Sequence, residues 1–334
     1  MNLENIVDRI TVMRKQEETD YLYSNYLPDI EASPKGKFGL NRMWREKICH
    51  WSYNVVDHFD LGREVVAISL DLFDRFLATR GNSYDGNMAL LTSLTTLHLA
   101  IKLHAKKKIR ISTLAALSRS QFKPSHIEDM EWEILNALSW KLHPPTAYSF
   151  VFHFLLFLPV ETSQPIRMEM YDLSRYLTEL ATCDPFFVQK KSSVIAFAAI
   201  LTVVDQIPFS RFSAGSREAL LTDLSERTHH HHLNLDIMEA RERLTLMFAS
   251  SSNPADDRRI LEEIHPLNEV NPNATNNGSQ HRGNNIRCNK EDSKNSFRYS
   301  PKPRGSRTRG AASPISGKNA RARISSSPLV VGVR

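Results

Sequence analysis

The stretch "SLDLFDRFLATRG", Ser69–Gly81, combines an apolar helical face with two charged side chains. Four apolar residues in and just before it recur at intervals of four, three and four, which places their side chains on one face of an α-helix. These residues are Val66, Leu70, Phe73 and Leu77. Asp74 and Arg75 lie in the middle of this pattern. Because a buried ionised carboxylate is unfavourable without a cation beside it, Asp74 needs a partner.

Other apolar stretches predict four more helices around this one. The helix before it has an apolar stripe formed by Trp44, Ile48, Trp51 and Val55. The helix after it, "GNMALLTSLTTLHLAIKLHA", is apolar on nearly every side, as is typical of a central buried helix. "ISTLAALSR" and "PSHIEDMEWEILNALSW" follow, and "HPPT" ends the series because proline disfavours a continuing helix. These residues predict a five-helix bundle.

A second series of apolar stretches begins after this proline break. It comprises "TAYSFVFHFLLFL", "QPIRMEMYDLSRYLTELATC", "SSVIAFAAILTVVD", "SREALLTDLSE" and "LDIMEARERLTLMFAS". The third of these is apolar and rich in small residues, so it is the expected central helix. Strand patterns with period two are nearly absent. The sequence therefore predicts an all-α fold of two tandem five-helix bundles.

Charge and composition divide the chain into regions. The net charge is +6, but residues 270–334 contain 13 Lys or Arg and 2 Asp or Glu, so this part carries +11 and the rest −5. The same tail is rich in Asn, Ser, Gly and Arg and can bury too little apolar surface to fold. We predict an N-terminal helical segment (1–40), two bundles (41–143 and 144–250) and a disordered basic tail (251–334).

Several classes of function lack their motifs in this sequence. No Gly-rich phosphate loop, His-Glu-x-x-His metal motif or nucleophile elbow occurs, so we do not expect an enzyme. The cysteines Cys49, Cys183 and Cys288 have neither metal-ligand nor redox-motif spacing. No apolar run is long enough for a transmembrane span, and the first residues lack a signal-peptide pattern. We expect a soluble intracellular protein without cofactor, metal or membrane partner.

Five segments in order resemble the motifs of the cyclin family. "WREKICHWSYNVVDHFDLGREVVAISLDLFDRFLATRG" is similar to the first two helices of a cyclin box, and "LHLAIKL" to the end of its third helix. "MEWEILNALSWKLHPPT" resembles the end of the first box, and "YDLSRYLTELATCDPFFVQKKSSVIAFAAIL" the second box. The resemblance spans roughly residues 40–250. "MRKQEETDYLYSNYL" and "KLHAKKKIRISTL" further resemble the cyclin group that is expanded in diatoms.

The resemblance implies a non-catalytic subunit that binds and activates a cyclin-dependent Ser/Thr protein kinase in cell-cycle control. The kinase would perform the ATP chemistry, and the chain itself would bind no small-molecule substrate. Alternatives are a TFIIB-like transcription factor with the same fold and a transcriptional or nutrient-type cyclin. A DNA-binding bundle needs a basic surface to neutralise phosphates. Since the body carries −5, we do not expect direct nucleic-acid binding.

The cyclin motifs also imply roles for individual residues. Lys102 and Glu131 match the lysine and glutamate that hydrogen-bond the backbone of the kinase's regulatory helix. Leu99, Trp140 and Leu142 match apolar residues that line the groove for that helix. Without the resemblance, a helix end and a solvated face would explain Lys102 and Glu131, and an ordinary core position explains Leu99 equally well.

The resemblance also supplies a partner for Asp74. Arg45 matches the first-helix arginine that pairs with the corresponding aspartate, so we expect a structural ion pair between two helices. We expect Arg75 to face solvent or to pack along its aliphatic stem.

Two further features are weaker matches to cyclin patterns. Trp44, Ile48 and Trp51 lie where many cyclins dock Arg-x-Leu peptides. Lys47 and Asn54 replace residues of that pattern, so we expect a degenerate patch and a core role for Trp51. Four Ser-Pro sites are candidate phosphorylation sites, namely Ser33, Ser300, Ser313 and Ser327. Basic residues between Lys302 and Arg309 fit either a nuclear-import signal or a solubilising tail, and we expect a location in nucleus and cytoplasm.

Overall fold

The computed structural model of the protein describes residues 3–22, 26–27, 42–80, 86–119, 121–228 and 234–251. An N-terminal helix, α1 (Leu3–Glu18), precedes two groups of five helices. The first group consists of α2 (Arg42–His58), α3 (Glu64–Arg80), α4 (Gly86–His104), α5 (Ile111–Leu117) and α6 (Pro124–Ala137). The second consists of α7 (Ala147–Phe154), α8 (Gln164–Cys183), α9 (Ser192–Gln206), α10 (Ala214–Thr228) and α11 (Leu235–Ser251).

Short 3-10 helices at Leu155–Phe157 and Pro185–Gln189 complete the second group. The described ranges contain no strand. The predicted all-α fold of two tandem five-helix bundles with an N-terminal helical segment is therefore confirmed. The predicted disordered tail lies outside the described residues apart from Ser251, and the domain boundaries stay predictions.

Helix α4 is the central helix of the first bundle. It packs against α3, α5 and α6, and its residues are buried on all sides from Leu94 to Ile101. Two of its buried hydroxyls bond to carbonyl groups of the preceding turn. Thr95 Oγ1 donates to the Leu91 carbonyl at 2.8 Å, and Ser93 Oγ donates to the Leu90 carbonyl at 2.8 Å. Such bonds within the helix allow small polar residues to lie in an apolar core.

Helix α9 has the same position in the second bundle. It contacts α7, α8 and α11, and twelve of its fifteen residues are buried. The small side chains of Ala196, Ala198 and Ala199 are fully buried and allow neighbouring helices to approach closely. Large apolar side chains such as Phe154 and Phe197 fill the remaining space, with ring centroids 6.3 Å apart. Burial of each such side chain stabilises the fold by about 1.5–3 kcal/mol.

Helix α1 packs on the second bundle although it precedes the first in sequence. Its apolar face, formed by Ile6, Ile10 and Met13, belongs to the hydrophobic core of the second bundle. Glu17 is buried and accepts hydrogen bonds from the Ser193 amide at 3.0 Å and from Ser193 Oγ at 2.5 Å. Burial raises the pKa of Glu17 against the lowering effect of these bonds. The carboxyl group therefore caps the first turn of α9.

An ion pair between α2 and α3 also joins the two bundles. Arg45 donates to both carboxylate oxygens of Asp74, from Nε at 2.9 Å and from Nη2 at 2.7 Å. Its Nη1 donates to the Thr182 carbonyl in α8 at 2.9 Å, and the Tyr26 hydroxyl donates to Asp74 at 2.7 Å. The structure thus brings together the two residues expected to pair, and it adds a contact to the second bundle.

Burial and the ion pair have opposite effects on the pKa of Arg45. Arg45 and Asp74 are both almost fully shielded from solvent. Burial by itself would lower the pKa of Arg45, but the charge and hydrogen bonds of Asp74 outweigh burial and raise it. Arg45 therefore remains charged, and removal of either partner would leave the other as an uncompensated buried charge.

We predict that Arg45→Ala lowers the free energy of unfolding by about 3–5 kcal/mol, or prevents folding, because Asp74 loses its buried counter-ion. The control is Lys107→Ala, which removes the exposed pair between Lys107 and Asp60 and should leave stability close to that of wild type. Urea denaturation at neutral pH measures both effects. A wild-type midpoint for Arg45→Ala would contradict the structural role of this pair.

Candidate functional site

Lys102 and Glu131 meet where the last turn of α4 passes the middle of α6. Lys102 Nζ donates to Glu131 Oε1 at 2.5 Å. Lys102 is 52% exposed, whereas Glu131 is 14% exposed. An ammonium group has three donors, and among the described residues only Glu131 accepts one of them. The pair is therefore a polar surface feature that can form further hydrogen bonds with another molecule.

His98 lies one helical turn before Lys102 and borders the same carboxylate. Its Nε2 is 3.9 Å from Glu131 Oε2. Burial lowers the pKa of His98, and the nearby Glu131 only partly offsets this effect. The imidazole is accordingly neutral at pH 7, and Lys102 provides the positive charge of this cluster.

The predicted groove residues differ in exposure. Leu99 and Leu142 are buried in the core of the first bundle. Trp140 is 59% exposed and lies just after the end of α6. The structure therefore gives Leu99 and Leu142 a packing role within the chain, and their role in a partner groove stays a prediction. Trp140 is the member of this set that presents a large apolar surface to solvent.

Sequence reasoning missed a second exposed tryptophan beside Trp140. Trp132 follows Glu131 in α6 and is 61% exposed. Its ring meets that of Trp140 edge to face, with centroids 6.3 Å apart and an interplanar angle of 81°. The available signal was a tryptophan on the polar face of a charged helix, "EDMEWE". We call the exposed surface that carries the two indoles and the Lys102–Glu131 pair, at the end of α4 and on and just after α6, the α4–α6 face.

The loop that carries Trp140 has an unusual backbone. Ser139 and Trp140 have φ angles of 49° and 61°, a left-handed conformation that is uncommon for residues other than glycine. The Trp140 amide donates to the Leu135 carbonyl at 3.0 Å. Such a conformation persists only where neighbouring contacts hold it.

Arg75 provides one of those contacts, which corrects its expected exposure. Its side chain is only 6% exposed, and Nη1 donates to the Lys141 carbonyl at 2.9 Å. The guanidinium lies 4.7 Å from the ring centroid of Tyr21, which follows α1. Arg75 was expected to face solvent or to pack along its aliphatic stem. The structure overturns the solvent-facing alternative, and the guanidinium fixes the loop that holds Trp140.

Asp71 lies one turn before Arg75 and forms an ion pair with it at 3.1 Å. Burial raises the pKa of Asp71 to about 6, although Arg75 acts in the opposite direction. Because the pKa of this carboxyl group is higher in the folded than in the unfolded chain, its protonation stabilises the folded state. This stabilisation is complete at pH values below the pKa that the group has in the unfolded chain. That contribution is lost as the pH rises through the folded pKa.

We predict that Asp71→Asn becomes more stable relative to wild type as the pH rises from 4 to 8. The asparagine does not ionise, so the variant avoids a loss of about 2–3 kcal/mol that wild type undergoes mainly between pH 4 and 6. Urea denaturation of both proteins at pH 4, 6 and 8 measures the difference. A difference independent of pH would show that Asp71 titrates normally.

The expected peptide-docking patch is mostly inside the fold. Ile48 is buried in the first core, and Trp44 and Trp51 are partly buried against it. Lys47 is exposed beside them. The partial burial of Trp51 fits the expected core role, and the degenerate patch stays a prediction.

Other predicted features lie outside the described residues. They are the candidate phosphorylation sites Ser33, Ser300, Ser313 and Ser327 and the basic residues between Lys302 and Arg309. Within the described ranges, no helix is both long and apolar enough to cross a membrane. No group of three or more His, Cys, Asp or Glu side chains is arranged to hold a metal ion in the same part of the chain.

Comparison with known families matches both bundles. The model "Cyclin, N-terminal domain" matches residues 8–143, and "Cyclin, C-terminal domain" matches residues 145–263. The first match begins inside α1, ahead of the first five-helix bundle. Together the two models account for most of the described chain.

Individual relatives are distant cyclins of more than one class. The chain is 27% identical over 199 residues to G2/mitotic-specific cyclin-1 of Medicago sativa subsp. varia, covering 60% of this chain and 43% of that protein. It is 29% identical over 167 residues to Cyclin-D3-3 of Arabidopsis thaliana, covering 48% and 44%. The chain thus spans less than half the length of these two relatives, and the diatom-type subgroup stays a prediction.

A solved structure shares the fold. A viral cyclin from herpesvirus saimiri aligns with a TM-score of 0.54 and 16% identity, covering 73% of this chain and 96% of that one. At this identity the likeness concerns the fold alone. The matches to both family models, supported by the two-bundle architecture, show that the chain belongs to the cyclin family.

Proposed function

We propose that this cyclin binds and activates a cyclin-dependent Ser/Thr protein kinase in cell-cycle control. The observation that carries the proposal is the α4–α6 face, which combines the Lys102–Glu131 pair with two exposed tryptophans. In this role the chain is a regulatory subunit, and the kinase performs the chemistry. We further propose that it acts in nucleus and cytoplasm.

The α4–α6 face is suited to binding because rigid elements hold it. Helix α4 is buried on nearly all sides, so Lys102 projects from an anchored scaffold. Arg75 fixes the loop of Trp140 through the Lys141 carbonyl. A surface that is ordered before binding loses less conformational entropy on association.

Lys102 and Glu131 provide complementary hydrogen-bonding groups. The ammonium can donate to backbone carbonyls of a partner helix, and the carboxylate can accept from backbone amides. Charge-assisted bonds of this kind are stronger than neutral ones and set the register of a partner independently of its side chains. The exposed tryptophans of the same face can supply the apolar area that dominates many interfaces.

Activation follows if this surface prefers one kinase conformation. A kinase is active when a lysine in its sheet pairs with a glutamate on its mobile helix and the metal-binding aspartate is in place. A cyclin that binds the inward position of that helix more tightly shifts the population toward the active state. The shift can be no larger than the difference in affinity for the two states.

The alternative is a transcription-associated role, either TFIIB-like or as a transcriptional or nutrient-type cyclin. Residues 1–269 carry a net charge of −5, which disfavours DNA binding by the bundles because phosphate neutralisation supplies much of the affinity. The curated relatives named above are mitotic and D-type cyclins by name. Both observations favour the cell-cycle role.

We predict that the double variant Lys102→Ala/Glu131→Ala recovers at least tenfold less kinase than wild type when the tagged chain is purified from cells that express it. The matched control is Glu169→Ala/Arg211→Ala, which removes an ion pair at 2.6 Å on the second bundle. The measurements are kinase identification by mass spectrometry and phosphorylation of histone by the recovered complex. Thermal melting verifies that each variant is folded.

Wild type and the control variant should both recover an active cyclin-dependent kinase. Absence of kinase from the wild-type purification would reject the proposed function. Equal recovery by the double variant would show that kinase binding does not use the α4–α6 face.

We also predict that Trp132→Ala weakens kinase binding by about tenfold or more, because truncation of an exposed aromatic anchor removes much of its contact area. Phe209→Ala is a suitable control, since Phe209 is 68% exposed and lies between α9 and α10 of the second bundle. Titration of a purified kinase with each variant measures the change. Unchanged affinity for Trp132→Ala would place this tryptophan outside the interface.

A further inference from the structure

Two cysteines that are far apart in sequence meet between the bundles. Cys49 lies in α2 of the first bundle, and Cys183 is the last residue of α8 in the second. Their sulfur atoms are 2.7 Å apart, and 134 positions separate them in the chain. Both are free thiols. The fold therefore places a potential cross-link where the two cyclin bundles touch.

The two thiols differ in access to solvent. Cys49 is fully buried, whereas Cys183 is partly exposed at the end of its helix. Cys183 is therefore the thiol whose residue borders solvent, while Cys49 meets only its protein neighbours. Access alone favours Cys183 as the first site of oxidation.

The electrostatic environment also favours Cys183 over Cys49 as the first thiol to be oxidised. The hydrogen bond from the Cys49 thiol lowers the pKa of Cys183 despite the opposing effect of burial, and His50 and Arg45 lower it further. The charge of Glu46 raises the pKa of Cys183, and that of Asp74 raises the pKa of Cys49. Burial and the neighbouring Cys183 raise the pKa of Cys49. Since the thiolate is the nucleophile, Cys183 is the more reactive of the two sulfurs.

We propose that Cys49 and Cys183 form a reversible oxidation site that responds to hydrogen peroxide. The Cys183 thiolate attacks one peroxide oxygen, the O–O bond breaks, and the leaving hydroxide takes up a proton to become water. The product is a sulfenic acid on Cys183. The Cys49 sulfur then attacks the Cys183 sulfur, the S–O bond breaks, and a second water leaves as the disulfide forms. Overall, two thiols lose two protons and two electrons, and one peroxide takes them up to become two waters.

The disulfide would act on the contact between the bundles. Arg45, one helical turn before Cys49, already bonds the carbonyl of Thr182, the residue before Cys183. Oxidation would add a covalent bond beside this hydrogen bond and tie α2 to α8. A reducing compartment would restore the thiols, so the cross-link would form only under oxidising conditions. This inference does not depend on which partner the α4–α6 face binds.

The first test treats the purified, reduced full-length chain with hydrogen peroxide, blocks the remaining thiols and digests without reductant. Mass spectrometry should show a peptide pair joined through Cys49 and Cys183, which separates again after reduction. The same pair should form in Cys288→Ser, which lacks the third cysteine. Peroxide treatment that yields only irreversible oxidation, or disulfides through Cys288 alone, would overturn the proposal.

The second test establishes the order of attack in the Cys288→Ser background. With Cys49→Ser, the Cys183 sulfenic acid has no partner thiol, so dimedone should label Cys183 after peroxide treatment. With Cys183→Ser, the buried Cys49 should remain unlabelled. Labelling of Cys49 but not Cys183 would contradict the assigned roles. Should either variant fail to fold, the wild-type peptide map still decides whether the cross-link forms.

Thermal melting provides an independent measurement on the folded chain. A disulfide that closes a loop of this length should raise the Tm of peroxide-treated wild type by about 5–15 °C, and reduction should reverse the rise. Neither single-cysteine variant should show the rise. A Tm that is unchanged or lowered in cross-linked wild type would show that the bond strains the bundle contact rather than reinforcing it, and would contradict the proposed tie.

Discussion

The buried bond between Arg45 and Asp74 is the contact on which the arrangement of the helices depends. One guanidinium reaches α3 through the carboxylate and α8 through the Thr182 carbonyl. Because both charged groups are removed from water, their favourable energy exists only while the geometry is kept. This contact thereby fixes the positions of two helices of one bundle and one helix of the other relative to each other. The surfaces that we assign to function all project from these helices or from their immediate neighbours.

The two-bundle fold was predictable from sequence because its signals are local. The apolar surroundings of α4 and α9 reflect their central positions, and the proline break before α7 separates the groups. The pairing of Arg45 with Asp74 could not be deduced from periodicity, since 29 positions separate them. It entered through the cyclin resemblance, which contains information on tertiary contacts that a single sequence pattern lacks.

The features that were missed depend on contacts between distant segments. Arg75 lies outside the apolar stripe of its helix, and its burial depends on Tyr21 and the later loop at Lys141, both distant in sequence. Trp132 was missed because an indole on a polar helix face gives no periodic signal. Cys49 and Cys183 lack motif spacing, and their contact exists only after the bundles have packed. Sequence therefore revealed the elements of the candidate site more fully than the contacts that position them.

The packing of α1 on the second bundle has a consequence for the order of events during synthesis. Glu17 can form its hydrogen bonds with Ser193 only after that residue has been synthesised, 176 residues later. At roughly 5–20 residues per second, the ribosome needs on the order of 10–35 seconds to cover that distance. Until α7 has been synthesised, the apolar face of α1 lacks its native partners in the second bundle, while the first bundle can already assemble. Complete docking of the earliest helix therefore has to follow synthesis of α9 and α10, which couples the start of the described chain to its second half.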